Sequence, residues 1–74
     1  MGSLQEYTKV FKAVSDPSRA RILKLLEEEE LCVCQIMAVI GLKQPTISKH
    51  LSILKKAGLV EGTRNGTWIY YSLS

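Results

Sequence analysis

The 74-residue sequence predicts a mostly α-helical domain that ends in a small β-hairpin (α+β), in the order α-α-α-α-β-β. Two observations lead to this prediction. Apolar residues recur at helical spacing as far as Ala57, in segments separated by Gly, Pro or an acidic run. After Gly58 the period changes, and β-forming residues flank Asn65-Gly66, which is a strong hairpin signal. A chain of this length forms one domain, so residues 1–74 are expected to fold as a unit.

The first helix is predicted over about residues 4–14, because Leu4, Tyr7 and Phe11 fall at helical spacing on one side of it. Pro17 opens the second helix, since proline suits the first helical position and the Ser-Asp pair before it can cap the free backbone N–H groups. Apolar residues surround most of this second helix, so we expect it to be largely buried.

The third and fourth helices form a helix-turn-helix in this prediction. The third helix runs from about Leu31 to Ile40, and Gly41 suits a left-handed stop. Pro45 opens the fourth helix, which continues to about Ala57. Two helices joined by a three-residue turn that contains glycine have this layout, and a hairpin directly after them adds a wing. The predicted fold is therefore a winged helix-turn-helix.

The fourth helix has an apolar side and a polar side that carries no acid. Ile47, Leu51 and Leu54 share the side expected to pack inward. The opposite side offers hydroxyls and an amide for base edges and ammonium groups for phosphates, whereas an ordinary solvated face would mix in Glu or Asp. A basic hairpin tip adds contact with the minor groove or with phosphate. The predicted DNA-binding residues are Gln44, Pro45, Thr46, Ser48, Lys49, Ser52, Lys56, Arg64 and Asn65.

Composition permits nucleic-acid binding and argues against other classes of function. Ten basic and seven acidic residues give a formal net charge of +3. No apolar run approaches the length of a membrane span, and two cysteines are too few for a disulfide framework, so we expect a cytoplasmic protein without membrane contact. One histidine, seven acids and two thiols form no nucleophile–base pattern, so neither an enzyme nor an organic cofactor is expected.

Four motifs in order resemble the ArsR/SmtB family of winged-helix repressors and together cover nearly the whole chain. Residues 15–23 (SDPSRARIL) resemble the opening of its second helix, and residues 44–60 (QPTISKHLSILKKAGLV) resemble its recognition helix and first wing strand. Residues 64–67 (RNGT) with 70–73 (YYSL) resemble its wing. Residues 30–34 (ELCVC) resemble the metal-sensing segment of the arsenic- and cadmium-responsive branch.

This resemblance implies a homodimeric repressor that binds double-stranded DNA at an inverted-repeat operator and leaves it when an ion binds. The family usually adds a C-terminal helix that forms much of the dimer interface and carries a second zinc site, and these 74 residues do not include it. We therefore expect a weakened dimer that rests on Leu4, Tyr7 and Phe11.

The resemblance also implies that Cys32 and Cys34 hold a soft metal or metalloid ion. Two thiolates suit As(III) or Sb(III), which the resemblance favours, and also Cd(II), Hg(II) or Cu(I). The arsenic branch commonly has Asp and a third cysteine where this chain has Gln35 and Met37, and As(III) prefers three thiolates. On a regular helix the two side chains diverge by about 200°. A shared ion would then unwind the helix start and move the recognition helix.

Three alternatives stay open at this point. The two thiols are also consistent with buried small hydrophobic residues whose sensing role has been lost. Reversible thiol oxidation would use the same two residues in a DNA-binding regulator. A winged helix can also serve as a protein-interaction module, although the acid-free face of the fourth helix argues against that function.

Overall fold

The computed structural model describes residues 3–74 and confirms the predicted order of four helices and a hairpin, with one short strand added. The helices are α1 (Leu4–Val14), α2 (Pro17–Glu28), α3 (Val33–Ile40) and α4 (Gln44–Lys56). The strands are β1 (Leu31–Cys32), β2 (Val60–Asn65) and β3 (Trp68–Leu73), and they form an antiparallel sheet in the order β1-β3-β2. No helix within residues 3–74 is long and apolar enough to cross a membrane.

Local signals set most of the helix ends. The Asp16 carboxylate accepts a hydrogen bond from the Arg19 backbone N–H at 3.0 Å, and Pro17 occupies the first position of α2. That hydrogen bond is the main reason why the pKa of Asp16 lies below its usual value of 3.8. Gly41 ends α3 with a φ of +83°, a conformation that glycine adopts at low cost.

The start of α3 differs from the prediction, which began the helix at about Leu31. Leu31 and Cys32 instead form β1, where they pair with Tyr71 and Tyr70 of β3. Cys32 has an extended backbone (φ −85°, ψ 167°), and its N–H donates to the Gln35 side-chain oxygen at 2.9 Å. The helix therefore begins two residues later than predicted, at Val33. The pairing joins residues about forty positions apart, so helical periodicity within the segment carries no trace of it.

The hairpin turn is shifted by one residue from its predicted place. Asn65 was expected in the turn, but it is the last residue of β2 and pairs with Trp68. Gly66 and Thr67 form the loop. Gly66 has a positive φ of +67°, whereas the φ of Thr67 is not positive. Glycine at the first of two loop positions is the preference of a type II′ turn, which competes with the Asn-Gly type I′ turn.

The core lies where α2 meets the other helices and the sheet. The three α4 residues predicted to face inward, Ile47, Leu51 and Leu54, are at most 1% exposed, so that prediction is confirmed. Tyr71 packs against this core, whereas Trp68 on the same strand is 52% exposed. The other buried core residues are Ala13, Ile22, Leu26, Leu31, Ile36 and Val60.

Candidate nucleic-acid interface and thiol pair

The outer side of α4 is held towards solvent by the burial of its inner side. Because Ile47, Leu51 and Leu54 fix the rotation of the helix in the core, the residues opposite them cannot turn inward. Every residue that the sequence predicts for DNA contact is exposed, on this helix and at the wing: Gln44, Pro45, Thr46, Ser48, Lys49, Ser52, Lys56, Arg64 and Asn65.

The N-terminus of α4 adds to the positive potential of this face. No acidic residue lies in its first turn, and its N-cap, Lys43, makes no side-chain hydrogen bond to the helix. The free backbone N–H groups of a helix start carry a partial positive charge that favours phosphate. Lys55 and Lys56 lie in the last turn, so cations occur at both ends of the helix. The face as a whole suits a polyanion.

Arg19, on α2, links α4 to α1. Its Nε donates to the Ala13 carbonyl at 2.8 Å and its Nη2 to the Lys12 carbonyl at 3.2 Å, at the end of α1. Its Nη1 lies 3.3 Å from Nδ1 of the half-buried His50 on α4. The sequence analysis did not connect Arg19 with His50. The two residues are 31 positions apart, and no local pattern connects them.

The wing lies beside one edge of α4 and leaves a cleft of about 290 Å³ between them. Gln44 and Ser48 line the helix side of this cleft, and Trp68 lines the wing side. Cys34 also lines the cleft, from the first turn of α3. The cleft therefore brings the candidate base-contacting residues, the wing and one thiol together.

The two cysteines occupy different environments. Cys32 is buried in β1 opposite Tyr70, whereas Cys34 is exposed, and both are free thiols. The expectation that both lie on one regular helix is wrong, because Cys32 has an extended backbone and α3 begins after it. A shared ion would therefore not need to unwind the helix between them.

The donor set of the thiol pair is small. Within residues 3–74, no cluster of three or more His, Cys, Asp or Glu side chains could hold a metal ion. Two sulfur donors fit a soft ion that accepts a low number of protein ligands. They do not supply the three thiolates that As(III) prefers. Gln35, which stands where the arsenic branch commonly has Asp, uses its side-chain oxygen to cap the start of α3.

The predicted dimer face on α1 is apolar and exposed. Leu4 is 80% exposed, Phe11 68% and Tyr7 45%, and Val14 extends the stripe at 39%. These side chains form a continuous line along the helix, because they recur every three or four residues. A contiguous exposed apolar stripe of this kind is typical of an interaction surface rather than of scattered surface residues.

In this winged helix-turn-helix, α4 presents a basic face without acidic residues. This is the architecture of a DNA-binding transcription regulator. The family described as "Bacterial regulatory protein, arsR family" matches residues 16–62, and the chain belongs to this family. Among similar proteins, the HTH-type transcriptional regulator MJ1325 of Methanocaldococcus jannaschii is 49% identical over 72 residues, which cover 96% of this chain and 81% of that protein.

Two further comparisons concern a named arsenic regulator and a solved structure. The arsenic resistance transcriptional regulator ArsR1 of Pseudomonas putida is 46% identical over 86% of this chain, which spans only 51% of that protein. The homodimeric winged helix-turn-helix DNA-binding domain of Mb0332 from Mycobacterium bovis matches with a TM-score of 0.91 and 38% identity, over 95% of this chain and 65% of that one. The relatives are transcriptional regulators, which confirms the prediction that this chain is not an enzyme.

Proposed function

We propose that this chain is a sequence-specific DNA-binding repressor of the ArsR type, released from its operator when a soft metal or metalloid ion binds Cys32 and Cys34. The main observation in favour of DNA binding is that the outer side of α4 is exposed and has no acidic residue. The rotation of this helix is fixed by the buried residues Ile47, Leu51 and Leu54. Membership of the family supports it, because the curated relatives are named as transcriptional regulators and repressors.

Each part of the interface has a separate role in this proposal. Gln44 and Ser48 lie in the N-terminal half of α4, where side chains contact base edges in the major groove. Lys49 and Lys56 reach phosphates and so add affinity without sequence preference. Arg64 at the exposed wing tip contacts the neighbouring minor groove or backbone. Pro45, Thr46, Ser52 and Asn65 complete the surface.

The partner that fits the α1 stripe is a second copy of this chain. A two-fold dimer would place two copies of α4 on successive half-sites of an inverted-repeat operator. Leu4, Tyr7 and Phe11 supply the apolar contact that such an interface needs. The homodimeric domain of Mb0332, with its TM-score of 0.91, supports this arrangement.

The release step depends on where Cys34 lies. In this proposal Cys34 moves away from the cleft that it lines with Gln44 and Ser48 in order to share an ion with the buried Cys32. That movement changes the spacing between the wing and the base-contacting end of α4. Effectors of such switches typically couple to DNA by about 1–3 kcal/mol. As(III) or Sb(III) is the favoured ion and Cd(II), Hg(II) or Cu(I) the alternative, in keeping with relatives named for arsenic and cadmium resistance.

Fluorescence anisotropy on DNA from upstream of the chain's own coding sequence tests the proposal. We expect binding in reducing buffer and release during a titration with arsenite. The double variant Cys32→Ser/Cys34→Ser should bind the same DNA with unchanged affinity and stay bound when arsenite is added. Release of the double variant would place the sensor elsewhere, and failure of the wild type to bind would contradict the repressor proposal.

A second candidate signal is thiol oxidation, which the exposure of Cys34 favours over a purely structural role for that residue. Here a peroxide oxidises the Cys34 thiolate to the sulfenic acid, and a thiol reductant restores it. The same assay distinguishes the two signals. If hydrogen peroxide releases the DNA, dithiothreitol reverses the release and arsenite has no effect, the result favours oxidation. The single variant Cys34→Ser should then no longer release DNA with peroxide.

A further inference from the structure

A cleft of about 500 Å³ lies between α1 and α4, on the side of α4 away from the wing. Four of its six lining residues are cationic, and most of the lining surface itself is apolar. No acidic residue lines it. The lining residues are Lys9, Lys12, Ala13, Arg19, Ile53 and Lys56.

The ammonium groups of this cleft have no acidic partner. Within residues 3–74, the ion pair that the structure contains joins Lys24 and Glu27 on α2, and it involves none of the cleft lysines. Lys9, Lys12 and Lys56 are exposed. Glu6 lines an adjoining cleft with Lys9 and Lys56, but it makes no ion pair with either. Because none of these lysines is held in an ion pair, an anion that enters the cleft is attracted by several cations at once.

Arg19 differs from the three lysines because its guanidinium is already engaged. It donates to the carbonyls of Lys12 and Ala13 and contacts His50, and these bonds hold the end of α1 against α4. The cleft is therefore a fixed feature of the fold. Lys9 and Lys12 line it, and neither forms an ion pair within residues 3–74.

The position of the cleft relative to α4 indicates which anion fits. A helix in the major groove has a phosphate backbone on each side of it. On one side of α4, Gln44 and Ser48 face the wing, which is placed to meet the first backbone. On the other side, Ile53 and Lys56 face the cationic cleft. The cleft is thus placed to meet the second backbone.

The dimer face and the cationic cleft use different sides of α1. At about 100° per residue, Lys9 and Lys12 lie at least about 100° around the helix from the centre of the stripe formed by Leu4, Tyr7 and Phe11. The centre of the stripe therefore faces away from the cleft, and the two surfaces adjoin at Leu4 and Tyr7, which each line a cavity with Lys9. One short helix would then serve both dimerisation and DNA contact.

From this geometry we infer that the cleft binds a backbone phosphate of the DNA strand that flanks α4 on the side opposite the wing, with Lys9 and Lys12 as its contacts. The inference rests on the proposed DNA-binding function and adds residues of α1 to the interface. The contact is to phosphate, so it raises affinity for every sequence and does not discriminate between them.

The test compares two variants that each remove two positive charges from a formal net charge of +3. The cleft variant is Lys9→Gln/Lys12→Gln, and the matched control is Arg21→Gln/Lys24→Gln on the exposed side of α2. Affinity is measured from about 50 to about 200 mM salt, on a duplex selected from random sequence by the wild type and on an unrelated duplex. We expect the cleft variant to lower the log–log salt slope by about one unit on both duplexes, because one phosphate contact is lost, and the control to leave it unchanged.

Further outcomes separate this inference from the function on which it rests. An equal slope change in both variants would mean a general effect of net charge, and an unchanged slope in the cleft variant would also overturn the inference. Lys49→Gln is measured beside them. If it weakens binding while the cleft variant does not, only the cleft inference fails. If neither variant alters affinity, the proposed DNA-binding surface itself fails.

Neutral methylphosphonates placed singly along the selected duplex identify the source of the phosphate. At one flanking position the wild type should lose affinity, whereas Lys9→Gln/Lys12→Gln should lose none, because the contact is already absent. If the cleft instead binds a free phosphate ion, no position will distinguish the two proteins. That result would overturn the assignment of the cleft to DNA.

Discussion

Helix α4 and the thiol segment at the start of α3 adjoin the same cleft, yet different kinds of information determine their structures. The bounds of α4 follow from local signals, since proline lies near its start and apolar residues line one side of it. The thiol segment takes its conformation from β3, a strand about forty residues away that holds Cys32 in extended geometry. A local pattern therefore predicts the exposed face of α4, but it cannot predict the conformation of a segment that depends on long-range pairing.

The largest expected effect is at the buried side of α4. Leu51 is 1% exposed, and Leu51→Ala should lower the free energy of unfolding by about 2–5 kcal/mol, because it removes apolar contacts and leaves a cavity. Urea denaturation followed by circular dichroism measures the change. The control is Val39→Ala on α3, where the side chain is 54% exposed and a change within about 0.5 kcal/mol is expected. Equal losses in both variants would show that burial in the core does not fix α4.

The next effect concerns the exposed side of the same helix. We expect Gln44→Ala to change sequence preference, with a loss of about 1–3 kcal/mol on the selected site and little loss on unrelated DNA. Lys49→Ala should instead weaken binding to all duplexes alike and lower the salt slope by about one unit. Anisotropy on a selected and an unrelated duplex separates the two patterns. A uniform loss in Gln44→Ala would remove that residue from the base-contacting set.

A smaller effect should distinguish the thiol segment from α4. The Gln35 side chain accepts the Cys32 backbone N–H at 2.9 Å, so Gln35→Ala should cost about 1 kcal/mol and loosen the β1–α3 junction. Amide hydrogen exchange should then rise at Cys32 and its neighbours and stay unchanged in α4, and DNA affinity without an effector should be retained. Equal acceleration of exchange in α4 would mean that the two regions open as one unit.

The sequence predicts the parts of this fold that are encoded locally, and it misses those that depend on contacts between distant residues. The bounds of α1, the proline start of α2 and the inward side of α4 all depend on residues within a few turns of one another. The strand β1 and the contact of Arg19 with His50 each join distant parts of the chain. The one-residue shift of the hairpin turn has a third cause, because two turn types compete for Gly66.

The candidate site shows the same division. The spacing of polar and basic residues on α4 was enough to predict that they share an exposed face, because helical geometry alone decides it. The cationic cleft could not be predicted, since Lys9 and Lys12 meet Lys56 only through the packing of α1 on α4. The different exposure of Cys32 and Cys34 could not be predicted either, because it follows from the pairing of β1 with β3.

The smallest expected effect is at the start of α2, where the Asp16 carboxylate caps the helix. The pKa of Asp16 is lowered chiefly by the hydrogen bond from the Arg19 backbone N–H, and the charge of Arg19 acts in the same direction. A carboxyl with a lowered pKa in the folded state stabilises the fold fully above its unfolded pKa, near 3.8, and the stabilisation is lost as the pH falls through the lower folded value.

Asp16→Ala should therefore be less stable than the wild type at neutral pH, and the difference should shrink below about pH 4. Urea denaturation at several pH values tests this, with Glu28→Ala at the exposed end of the same helix as the control. A stability difference that persists unchanged into acid would mean that Asp16 acts through packing of its side chain, and that the charge of its carboxylate is not what begins the helix.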